Sequence, residues 1–174
     1  MSINDDLNYH LHKGDLPDNL NLEGDIAADC EMMGLHPIRD RLCLVQLKSR
    51  QSDIHLVQIM QGQTDAPNLK ALFESAESDK IFHFARADLA TLKQWLNIKI
   101  TTPFCTRTAS RLVRTYTNKH GLRAVCREFF DVDLNKQSRL TDWGTEDLSQ
   151  EQLLYAAADV LYLHRIKDIM IERL

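Results

Sequence analysis

The 174-residue chain has no stretch of roughly eighteen consecutive apolar residues, the length a helix needs to cross a bilayer. Its first residues, Met1-Ser2-Ile3-Asn4-Asp5-Asp6, are polar and acidic and lack the basic-then-apolar layout of a secretory signal. Both absences predict a cytoplasmic protein with no membrane partner. There is no Cys-x-x-Cys pair either: Cys30, Cys43, Cys105 and Cys126 are widely spaced and lie in apolar segments, which points to reduced core thiols rather than zinc ligands or disulfides. Positive charge is not in excess. The net charge of −4 argues against sequence-independent gripping of long nucleic acid through many phosphates, but does not exclude a short ligand. No internal repeat, low-complexity tract or linker interrupts residues 1–174, and 44% hydrophobic content suffices for a substantial core, so one globular domain is expected.

What is present is a strand-helix rhythm. After a polar leader, strand-like runs are predicted at Asp25 to Cys30, Leu42 to Leu47 and Asp53 to Ile59, and their short links make antiparallel neighbours. A helix from Asn68 to Ala76, a buried strand from Lys80 to Phe84, a helix from Leu89 to Leu96 and a short strand near Thr102 to Phe104 follow. Helices then dominate: Thr106 to Val113, Leu122 to Phe130 and one long final helix from Leu148 to Arg173, with Leu153, Leu154, Ala157, Val160, Leu161, Leu163 and Ile166 as its buried stripe. This order predicts an α/β mixed sheet flanked by helices.

Asp29 and Glu31 lie two apart on the first of those strands, so both carboxylates reach the same space. Two like charges side by side raise each other's pKa, an arrangement that is costly unless a cation lies between them. A strand end frayed into solvent is the competing reading. Tyr155 and Asp159, four apart on the last helix, share one face beside the small run Ala156-Ala157-Ala158. A core-edge tyrosine and an exposed aspartate would give the same spacing. Asp88 falls in the first turn of the helix after Lys80 to Phe84, where the helix dipole favours an acid in any case. His83, just before it, reads as a hydrogen-bonded histidine at the core edge that could also touch a substrate.

Taken in order, Asp29-x-Glu31, Asp88 and Tyr155-x-x-x-Asp159 resemble the three exonuclease motifs of the DEDD superfamily, in the tyrosine branch that contains ribonuclease D and proofreading domains. The histidine branch carries its histidine five before the final aspartate, and here that position is Leu154. His12-Lys13-Gly14-Asp15-Leu16-Pro17, Arg39 to Leu47, Ala66-Pro67-Asn68-Leu69 and Arg114 to Leu122 are similar to nanoRNase C, a compact bacterial group that degrades very short oligonucleotides. The resemblance covers nearly the whole chain. It implies a ribonuclease H-like fold and a 3′-to-5′ exonuclease releasing nucleoside 5′-monophosphates from short single-stranded RNA or DNA.

The same resemblance implies two divalent metal ions, Mg2+ or Mn2+, which an all-oxygen ligand set suits. Asp29, Glu31 and Asp159 would hold the one that activates water, and Asp29 with Asp88 the one near the leaving oxygen. Tyr155 would orient the water, since a phenol of ordinary pKa about 10 is a poor base at neutral pH. Met33 and Leu35, just beyond the first motif, are candidates to wedge against a terminal base, with core packing as the alternative for Met33. Gln137, in a loop before the last helix that also contains Trp143, is a candidate substrate contact, while Trp143 is expected to pack the loop down. The basic run Arg107, Arg111, Arg114, Lys119, Arg123 and Arg127 reads equally as a solvated face or as a surface steering phosphates.

Some positions depart from the family pattern. Cys30 stands where relatives usually have threonine and points away from Asp29 and Glu31, which predicts a change of packing only. Ala87 stands where a larger residue is usual. Ribonuclease D continues into helical domains and nanoRNase C relatives usually carry a C-terminal tail, so no role of either is carried over. A homo-oligomer is left open, as is trimming of longer RNA or a non-catalytic binding role on the same fold.

Overall fold

A computed structural model describes residues 7–134 and 141–174. One of its two middle strands is β2 (Ile26–Met32), apolar on both sides at its start, where Ile26, Ala27 and Ala28 are fully buried. β3 (Leu42–Ser49) pairs antiparallel with β2, and β4 (Ile54–Gln58) antiparallel with β3, as their short links require. On the other side of β2, β5 (Lys80–Phe82) and β6 (Pro103–Cys105) add in parallel. Parallel neighbours need crossovers, and α1 (Pro67–Glu74) and α2 (Arg86–Leu96) supply them. The predicted mixed α/β sheet is therefore found, with both hairpin and crossover parts.

One strand was missed. β1 (Tyr9–Lys13) lies in the supposed polar leader and pairs in parallel with β4, giving the order β1-β4-β3-β2-β5-β6. Leu7, Tyr9 and Leu11 alternate with Asn8, His10 and His12 as a half-buried strand should, a signal diluted by the polar residues around it. The His10 and His12 rings stack with His55 of β4, at 5.3 Å between centroids for both. His12 Nε2 and His55 Nδ1 share a hydrogen bond of 3.0 Å.

Two apolar layers cover the sheet. Ile26, Ala28, Val45 and Phe82 pack under α1 and α2 with Leu69, Phe73, Leu92 and Leu96. Ala27, Leu44, Leu56 and Ile81 face the C-terminal helices, which are α3 (Thr106–Val113), α4 (Leu122–Phe130), α5 (Gln150–Leu161) and α6 (Leu163–Arg173). α5 starts at a capping box: Ser149 Oγ accepts from the Gln152 amide, and the Gln152 side chain accepts from the Ser149 N–H. Buried Ala156, Ala157 and Ala158 let α5 lie close on β2, β3 and β4.

The single long final helix of the sequence reading is corrected: the chain breaks at Tyr162 (φ −101°, ψ −6°). No proline or glycine announces the break. α5 follows the sheet while α6 packs across α3 and α4, and the Tyr162 ring stacks on Phe130 at 5.3 Å at the turning point. Leu154 and Leu161, expected in the buried stripe, are only half-buried, whereas Ala156 and Met170 lie in the core.

Burial also sets an acid limit on the fold. His55 is pushed down to about 4, by loss of solvent first and then by the His12 and His10 charges, and His83 is pushed to about 4 mainly by burial. Between about pH 4 and 6.5 the unfolded chain therefore binds more protons than the folded one, and stability falls as pH falls. The raised Asp88 carboxyl works in the opposite direction, so the comparison must be between variants. His55→Gln is expected to flatten the decline of Tm between pH 7 and pH 5, measured by thermal unfolding in buffers of equal ionic strength; an unchanged slope would remove His55 from the balance.

Candidate active site

Side chains alternate along β2, so Asp29 and Glu31 follow Ala27 onto the face covered by α5. There the strand leaves the core, and both acids are half-buried. α5 crosses this strand end and presents Tyr155 and Asp159 one helical turn apart. One carboxylate oxygen each from Asp29, Glu31 and Asp159 lie within 4.8 Å of one another. Among the described residues this is the one group of three such ligands found together, and both structural alternatives to clustering, a frayed strand end and an exposed aspartate, are overturned.

Asp88 approaches from the other side of the sheet, in the first turn of α2, and is only 6% exposed. Burial, followed by the Asp29 charge, holds its carboxyl well above the usual carboxylate range, so desolvation outweighs the favourable helix end. The position of Cys30 needs correction. It does point away from Asp29 and Glu31, but that direction brings its thiol into hydrogen-bond contact with Asp88. Burial and the neighbouring acids push the thiol well up, so Cys30 touches the acid set as a neutral donor.

Three carboxylates with no nitrogen or sulfur ligand among them match hard divalent cations such as Mg2+ or Mn2+. The residues thus fit the metal that the resemblance implies.

Tyr155 is half-buried, with its ring 6.1 Å from Trp143, and Trp143 is buried as expected for a residue packing its loop down. Met33 is 51% and Leu35 96% exposed, so the core-packing alternative for Met33 fails. Its sulfur lies over Gly144, where an added Cβ would come within 2.1 Å, so this approach requires glycine. Met33 and Gly144 line a surface cleft with Arg39, Asp40, Arg41, Gln61 and Asp142. His83 donates or accepts a 2.9 Å hydrogen bond with Thr106 Oγ1 at the core edge, as read from the sequence. Gln137 lies outside the described residues.

The basic run divides. Arg114 is buried and grips Glu128, while Arg123 and Arg127 face Asp133. Arg107 differs: its guanidinium lies 4.3 Å over the ring of Phe84 and makes no ion pair among the described residues. Phe84 follows β5 with φ +74°, a left-handed conformation costly for a bulky residue. Sequence reasoning also missed Gln46, a fully buried amide in the middle of β3. A polar residue inside Leu42 to Leu47 was the available signal.

A family model described as 3′-5′ exonuclease matches residues 11–174. Ribonuclease D of Gluconacetobacter diazotrophicus is 29% identical over 157 residues, which is 90% of this chain and 39% of that protein. The chain thus spans well under half the length of this relative. Among solved structures, Brucella melitensis NrnC bound to pGG is 46% identical with a TM-score of 0.91, covering 97% of this chain and 82% of that one. The same nuclease with bound Mg2+ is 45% identical with a TM-score of 0.90 over the same shares.

Proposed function

Because the chain belongs to the 3′-5′ exonuclease family, we propose that it removes nucleoside 5′-monophosphates from the 3′ ends of short oligonucleotides in the cytoplasm, with dinucleotides among its best substrates. The observation that carries the proposal is the convergence of Asp29, Glu31 and Asp159 within 4.8 Å beside Tyr155. Clustered carboxylates facing a polyanion have no use in a simple binding module.

Asp29, Glu31 and Asp159 would hold one divalent ion, and Asp29 with Asp88 a second. Bound there, Mg2+ or Mn2+ supplies an activated nucleophile and charge stabilisation for in-line displacement. The chain's own groups do the positioning. Tyr155 orients the attacking water through its hydroxyl. Met33, which lines the cleft beyond Glu31, and the exposed Leu35 would offer apolar contacts to the terminal bases. His83, neutral and fixed on Thr106 just beyond β5, would touch the substrate, and Arg107 on Phe84 would offer guanidinium donors to a phosphate. Gln137 remains a proposed contact from the sequence pattern alone.

The likeness to NrnC with pGG supports a short substrate, and so does the net charge of −4, which leaves most binding energy to the terminal nucleotides. The likeness to ribonuclease D supports the alternative of trimming longer RNA. Catalytic efficiency on end-labelled RNA and DNA from roughly two to twenty nucleotides, at one salt concentration, separates them. Dinucleotides are expected to be cleaved at least as efficiently as the longest chains. A steady rise with length would favour the general trimmer, and no cleavage at any length would end the enzymatic reading.

A further inference from the structure

Gln46 is 0% exposed in a strand whose other central residues are aliphatic. Burying an amide is costly unless both of its ends are satisfied. This one is poorly compensated: Nε2 donates a long 3.5 Å hydrogen bond to Glu31 Oε1, and Oε1 has no hydrogen-bond partner among the described residues. As a contribution to folding, Gln46 is a poor choice for its position. A methionine of similar volume would fill the space without an orphaned carbonyl.

Its location suggests what that cost serves. In the antiparallel register Gln46 is the direct partner of Asp29, so their side chains share a face, and Glu31 is the diagonal neighbour. The amide therefore lies under both β2 acids. Turned the other way, it would set its oxygen against a carboxylate, so the donor orientation is the favourable one. A carboxylate held by a fixed donor keeps one rotamer and presents its other oxygen, which is how residues behind a metal ligand raise its affinity.

We infer that Gln46 is a positioning residue, holding Glu31 in the conformation that binds the divalent ion. The inference rests on the metal-site reading above. Gln46→Met is expected to weaken Mn2+ binding roughly 10- to 100-fold, by calorimetric titration without substrate, while the Tm of the metal-free protein stays level or rises. A merely structural glutamine would do the reverse, lowering Tm and leaving affinity unchanged. In a Glu31→Gln background the same substitution is expected to change affinity no further, because its effect passes through Glu31. Gln46→Leu serves if the methionine variant fails to fold. Wild-type binding that Asp29→Asn abolishes but Gln46→Met leaves intact overturns the role of Gln46 alone. Absence of Mn2+ binding by the wild type overturns it together with the metal-site reading.

Discussion

Replacing Asp29 or Asp159 with alanine is expected to reduce dinucleotide hydrolysis by roughly 1,000-fold or more, about 4 kcal/mol of barrier. The two acids come from a strand and a helix more than a hundred residues apart, and each supplies an oxygen to the same 4.8 Å cluster. Losing either leaves too few ligands for the ion that Asp29, Glu31 and Asp159 would share. Stability should move the other way. Three half-buried carboxylates repel one another, so in EDTA either variant is expected to unfold at or above the wild-type temperature. Added Mg2+ should raise the Tm of the wild type and not that of the variants, since only a folded site that binds the ion is stabilised by it. Wild-type turnover in Mg2+ by either variant would defeat the assignment, and a circular dichroism spectrum close to wild type would show that lost activity is not lost fold.

How far such a site can be read from sequence depends on which contacts are local. β2, β3 and β4 were legible because their links are too short for anything but antiparallel pairing. Asp29 with Glu31, and Tyr155 with Asp159, were legible because strand and helix periods put each pair on one face. Cys30 shows where that logic ends. Its parity away from Asp29 was clear, but what occupies the opposite face depends on how the crossover docks α2, and that brings in Asp88. Arg114 fails for a similar reason: its partner Glu128 lies one residue past the basic run in which it looked unopposed. Tyr162 breaks the final helix by tertiary packing on Phe130, with no glycine or proline to mark it. β1 was legible in the alternation of Leu7, Tyr9 and Leu11 with Asn8, His10 and His12, and was passed over because the run is short and its surroundings are polar.

Tyr155→Phe is expected to lower the single-turnover rate roughly 100-fold or more, in the range of a positioned proton or water contact, while substrate affinity changes little. The substitution isolates the hydroxyl. The ring stays half-buried against Trp143, at 6.1 Å between centroids, so packing and Tm should be preserved. Tyr155 stands one helical turn before Asp159, the residue that meets Asp29 and Glu31, which is where an attacking water would have to be oriented. An interaction with the water acts in the transition state, whereas an interaction with the nucleotide would act equally in the bound ground state and appear as weaker binding. Rates measured with enzyme in excess, set beside affinities measured in Ca2+ to suppress turnover, separate the two. Equal rates with and without the hydroxyl would remove Tyr155 from the mechanism, and a loss confined to affinity would reassign it to holding the substrate.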